Sequence, residues 1–153
     1  MDLLRQPNKD ANKVEITSEE IKQVMAKFKT LTYFGFGVFG GEFLLQQPMN
    51  CDVSKKANEF RSLRNELISA IDEVSLSYDF IANKPMRKTL NTWHSSYGMK
   101  HMVENWTKSH AGGRKYIANG SFIVAAAIAG FTVKQCHPMS PNCRINISEK
   151  AFK

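Results

Sequence analysis

The sequence predicts a mainly α fold with a minor β part: a single compact helical domain of five or six helices with a C-terminal β-hairpin. Three observations lead there. Apolar residues recur every three or four positions through most of the chain, and strict alternation is confined to one stretch near the C-terminus. A length of 153 residues, 42% hydrophobic and 23% charged, is enough to bury one core. Residues 1–14 stand apart, because Arg5-Gln6-Pro7-Asn8-Lys9-Asp10 has no apolar period. They are expected to form a flexible N-terminal segment before a domain spanning 15–153.

Thr17 and Glu20 have capping-box spacing, and Ile21, Val24, Phe28 and Leu31 follow on one helical face, so a first helix is predicted over 18–33. Phe34-Gly35-Phe36-Gly37-Val38-Phe39-Gly40-Gly41-Glu42 contains a G-x-G-x-x-G string. It is not preceded by the strand of a nucleotide-binding unit, and no kinase catalytic loop follows. The reading is a glycine-permitted bend that buries aromatics against the first helix. Asp52 suits the N-cap of a long helix over 53–82, striped by Phe60, Leu63, Leu67, Ile71, Val74, Tyr78 and Ile81. The stripe reads first as the protomer's own core, with a homodimer seam through this helix as the alternative.

Lys84-Pro85 ends that helix. A short helix is predicted over 86–93 and another over 97–109, with Met102, Val103 and Trp106 on its apolar side. Ala111-Gly112-Gly113 is a connector. A last helix, 118–129, is expected to take Asn119 or Ser121 as its cap and Gly130 as its C′ residue. Residues 131–135 and 144–148 then alternate like paired strands.

That hairpin decides a question about the cysteines. Pairing Val133 with Ile145 and Phe131 with Ile147 puts four apolar side chains on one face, sets Gln135 opposite Cys143, and turns Cys136 away. A Cys136–Cys143 bridge would need a one-residue slip that destroys the face. Three cysteines, an odd count, are therefore expected as thiols. No secretory leader is visible, and the most apolar stretches are broken by glycine or too short to span a bilayer. The expectation is a cytoplasmic protein with no membrane partner.

Charge is divided unevenly. Residues 1–83 hold 10 Lys/Arg against 12 Asp/Glu, whereas residues 84–153 hold 11 against 2, so a net −2 faces a net +9. Such asymmetry points to a partner of opposite sign. The candidate nucleic-acid-binding face comprises Arg87, Lys88, Lys100, Lys108, Arg114, Lys115, Lys134 and Arg144, with Tyr97 and Tyr116 available for stacking. Trp106 is assigned to the core instead. Gly112-Gly113-Arg114-Lys115 reads as a phosphate clamp. A helix-turn-helix is disfavoured because Val133 and Pro138 follow Gly130 where a recognition helix would lie; Lys134 and Arg144 would instead sit on the polar face of a wing-like hairpin.

Chemistry has little support at this level. His101 and Glu104 share a helix face, but His110 is half a turn out of phase, and Cys136, His137 and Cys143 fall short of a zinc site. No nucleophile elbow or P-loop is present, and Glu104 and Glu149 are too few for a two-metal nuclease. The expected function is thus a nucleic-acid-binding or regulatory accessory protein acting on DNA or RNA through its basic C-terminal half. It is expected to have no catalytic residues, cofactor or metal. One alternative is an inhibitor or adaptor that docks an acidic protein; a small enzyme using the His101/Glu104 region is a third.

Overall fold

The computed structural model describes residues 15–37 and 53–152. The expected N-terminal segment 1–14, the Asp52 cap and the Val38–Glu42 part of the glycine-rich bend lie outside them. The described residues form five α-helices and two small antiparallel hairpins: α1 (Ser18–Lys27), β1 (Leu31–Thr32), β2 (Gly35–Phe36), α2 (Val53–Ser69), α3 (Ile71–Ile81), α4 (Ser96–His110), α5 (Asn119–Ile128), β3 (Val133–Gln135) and β4 (Cys143–Ile145). A 3₁₀ turn over Glu149–Phe152 follows. The mainly helical class with a C-terminal hairpin is as the sequence predicts. Among the described residues, no helix is long and apolar enough to cross a membrane.

Helix α5 is the centre of the molecule. All ten of its residues are buried, because the sequence Asn119-Gly120-Ser121-Phe122-Ile123-Val124-Ala125-Ala126-Ala127-Ile128 has no charged position to turn outward. Around it pack α1, α3, α4, β2 and β3. Its small residues let neighbours approach closely: a Cβ on Gly120 would collide with the backbone carbonyls of Thr32 and Tyr33. At the other end Gly130 adopts φ +95°, and Phe131 N–H returns to the Ala126 carbonyl at 3.1 Å, the predicted glycine-terminated stop.

Several boundaries differ from the sequence reading. Helix α1 is capped by Thr17 as expected, its hydroxyl accepting from Glu20 N–H at 3.3 Å, yet it ends at Lys27. The run Leu31-Thr32-Tyr33-Phe34, with β-branched Thr32 and two aromatics, turns into the β1–β2 hairpin instead of continuing the helix. Phe36 then packs edge-on against Phe28 at 5.9 Å, the aromatic burial expected of the bend. The helix predicted over 53–82 is two helices parted at Ala70, whose ψ of +43° leaves the α region. No glycine or proline marks the break. Its cause is tertiary, since α2 packs on α1 and β1 while α3 packs on α4 and α5. Leu67, Val74, Tyr78 and Ile81 are buried in the chain's own core.

No helix forms over 86–93. Met86 bridges Ile147, Arg87 N–H bonds the Asn146 carbonyl and Asn91 N–H bonds the Ile145 carbonyl, both at 2.8 Å, so this segment runs along the free edge of β4 and its extension. The register Val133↔Ile145 and Gln135↔Cys143 is the predicted one. Phe131 and Ile147 are both buried, but Ile147 is engaged by Met86 rather than paired to Phe131. Cys136 and Cys143 are free thiols, and burial pushes the Cys143 thiol up to about 12.

Candidate nucleic-acid interface

Helix α4 carries the centre of the site. Lys100, His101 and Glu104 fall on one face by helical spacing, and Glu104 is buried, with 3% of its surface exposed. Three nitrogen-bearing side chains converge on its Oε1: His101 Nδ1 at 2.7 Å, Lys100 Nζ at 3.4 Å and the Arg114 guanidinium at 3.7 Å. Its Oε2 accepts from Ile117 N–H at 3.3 Å. Burial alone would raise the Glu104 carboxyl, but the Ile117 N–H, the Lys100 ammonium and the His101 ring outweigh it and hold it below the usual carboxylate range.

The glutamate has a second task. Its bond to Ile117, and the bond from Ala118 N–H to Glu73 Oε1 at 2.6 Å, place two carboxylates at the N-terminus of α5. Neither Asn119 nor Ser121 caps that helix, contrary to the sequence expectation; the N-cap is Ala118, and it has no side-chain cap. The carboxylates of α3 and α4 supply what local residues do not. Asn119 is thereby released, and its Nδ2 reaches Asn142 Oδ1 at 3.0 Å and the Pro141 carbonyl at 3.1 Å. Glu73 also accepts from the Tyr33 hydroxyl at 2.7 Å; burial, with this bond, raises the Tyr33 phenol well above its ordinary value.

These connections enclose a cavity of about 460 Å³, within the range of small-ligand pockets. Tyr97, Tyr116 and Phe34 form its aromatic walls, Lys100, His101 and Arg114 its basic side, and Asn119 and Asn142 its amides. Tyr97 and Tyr116 are 52% and 54% exposed. Between them lies Lys100, only 4% exposed, its ammonium 5.3 Å from one ring centroid and 4.5 Å from the other. Tyr97 also meets the His101 ring edge-on at 4.7 Å. Burial and the charges of Glu73 and Glu104 raise the Tyr116 phenol, so it stays a neutral donor at neutral pH.

Of the predicted site residues, Lys100, Arg114, Tyr97 and Tyr116 are brought together here. The rest lie elsewhere. Arg87 pairs with Glu149 at 2.5 Å, and Arg144 donates to the Thr92 carbonyl at 3.0 Å. Lys134 stands opposite Arg144 across the hairpin, as expected of its polar face. Lys88 and Lys108 are exposed. The Arg114-Lys115 clamp is split: Arg114 lines the aromatic pocket, whereas Lys115 lines a neighbouring groove with Glu15, Asp72, Glu73 and Asp79.

Sequence reasoning passed over Phe34, Asn119 and Asn142. Each comes from a different loop or helix end, and no spacing could have linked them to α4. His101 and Glu104 were legible as neighbours, but not as the floor of an aromatic pocket. Among the described residues, no group of three or more His, Cys, Asp or Glu is placed to hold a metal ion. Trp106 behaves as the core residue expected, half-buried against Phe80 and stacked on His110 at 4.5 Å. Comparison with protein families, with curated proteins and with solved structures gives no match.

Proposed function

We propose that this chain binds single-stranded nucleic acid, holding an unpaired base among Tyr97, Tyr116 and Phe34 while Arg114 and Lys100 meet the flanking phosphate. The observation that carries the reading is the pair of half-exposed tyrosines bracketing a buried ammonium inside one cavity. Stacking on aromatic faces with cations beside them is the chemistry by which unpaired bases are gripped without sequence preference. Asn142, held in place by the Asn119 amide, adds a polar group suited to a base edge. The net +9 of residues 84–153 favours a polyanion at longer range.

Fluorescence anisotropy with labelled single-stranded RNA, single-stranded DNA and duplex of one sequence tests it. Single strands should bind more tightly than duplex. Y97A with Y116A should weaken single-strand binding by about 10- to 100-fold, the loss expected for removing stacking platforms. Equal binding of duplex and single strand, with the tyrosine variant unchanged, would discard the pocket as the binding site.

An acidic protein partner is the second reading, favoured by Trp93. It is 78% exposed on the loop whose Thr92 carbonyl holds Arg144. Tryptophan and arginine are among the residue types enriched where binding energy concentrates in protein interfaces. A pull-down that recovers one protein after exhaustive nuclease treatment, and loses it with W93A, would establish that reading over the first.

A further inference from the structure

We propose that the same pocket cleaves single-stranded RNA, with His101 as general base, Lys100 as general acid and Arg114 stabilising the charge that develops on phosphorus. This rests on the nucleic-acid reading of the pocket and goes beyond it, since binding needs none of the His101 geometry. Glu104 is buried, fixed by the Ile117 N–H, and bonded through Oε1 to His101 Nδ1 at 2.7 Å. A carboxylate that accepts the Nδ1 proton sets the tautomer in which Nε2 carries the lone pair, the arrangement of an oriented base. The ring itself is half-exposed and lines the cavity, beside the tyrosines that would seat the base.

The remaining parts fit the same reaction. Lys100 lines the pocket and is held within reach of Glu104 and between two aromatic rings. Arg114 lines the pocket with its side chain half-exposed and cannot lose its proton, so it serves as a charge partner only. His101 Nε2 takes the proton of a ribose 2′-hydroxyl, and the 2′-oxygen attacks the adjacent phosphorus. The P–O5′ bond breaks, Lys100 protonates the departing 5′-oxygen, and a 2′,3′-cyclic phosphate remains. Water then returns the proton from His101 to Lys100. No oxidant, metal or further reactant enters the balance, and DNA lacks the nucleophile.

The test incubates the full chain, in EDTA, with a 5′-labelled single-stranded RNA and with DNA of the same sequence, and measures binding to both in parallel. The expected result is RNA cut to products ending in 2′,3′-cyclic phosphate while DNA stays intact. H101A should slow cleavage by about 100-fold or more, and added imidazole should restore part of it, which a purely structural histidine would not allow. K100R should lose cleavage by a much larger factor than it loses RNA binding, because an arginine keeps the charge but does not release a proton to the leaving oxygen. Binding without cleavage overturns this inference and leaves the binding proposal standing; absence of binding removes both. Cleavage that persists in H101A, that is not rescued by imidazole after H101A, or that wild type loses in EDTA overturns the assignment.

Discussion

Glu104 does three things with one carboxylate: it neutralises Lys100, orients His101 and accepts the N–H of Ile117 just ahead of α5. A buried ion pair contributes little relative to an apolar replacement, but removing one partner strands the other in a low-dielectric site. E104Q keeps the shape and removes the charge, leaving the Lys100 ammonium uncompensated, and should cost about 3 kcal/mol at neutral pH. The pH dependence follows from the depressed Glu104 value. A carboxyl lowered by folding contributes fully above its unfolded pKa of about 4.3 and loses that contribution as pH falls through the folded value. Urea unfolding of wild type and E104Q at pH 7, 5 and 3 should show the gap closing only below about pH 4. A gap constant over that range would mean that Glu104 acts through packing rather than charge.

At the scale of elements, the short helix α1 depends on a residue far along the chain. Arg64 of α2 donates to the carbonyls of Met25 at 3.1 Å, Lys29 at 2.6 Å and Leu31 at 2.8 Å, and so satisfies the C-terminal end of α1 and the turn into β1. A planar fork reaches several carbonyls at once, which a lysine ammonium does not. R64K should therefore destabilise the protein by about 1–3 kcal/mol, with faster amide exchange concentrated in the last turn of α1. Unchanged exchange there would show that α1 is held by its apolar face alone. The same logic explains the split between α2 and α3. One continuous stripe from Phe60 to Ile81 was legible, but it serves two sets of neighbours, and the backbone bends at Ala70 to satisfy both. Residues 86–93 show the reverse error, because the edge of β4 offers hydrogen bonds that an isolated two-turn helix does not outweigh.

Taken as a whole, the molecule does not spread its charge as the sequence totals suggest. Arg87 is tied to Glu149, Lys100 and Arg114 to Glu104, and Lys115 lies beside the acidic groove of α3. Arg114 touches Glu104 only at 3.7 Å and stays half-exposed at the aromatic pocket, whereas Lys115 faces several carboxylates, so Arg114 is the better phosphate contact of the adjacent pair. For single-stranded RNA, R114A should reduce the slope of log K against log salt by about 0.7, the counterion release of one phosphate, whereas K115A should change it less. Titrations between low and moderate salt measure both slopes; a larger effect from K115A would place the strand over the α3 groove instead.

What local patterning determined was the helical class, the Thr17 cap, the buried α5 with its Gly130 stop, and the hairpin register that keeps Cys136 from Cys143. Each depends on residues a few positions apart, where periodicity and turn chemistry act directly. The pocket was decided only by tertiary structure. Phe34, Asn119 and Asn142 join α4 because two glutamates from other helices take over the N–H groups ahead of α5 and free Asn119 to bind the hairpin turn. Long-range hydrogen bonds of this kind are chosen by what packing leaves unpaired, and no sequence spacing encodes them.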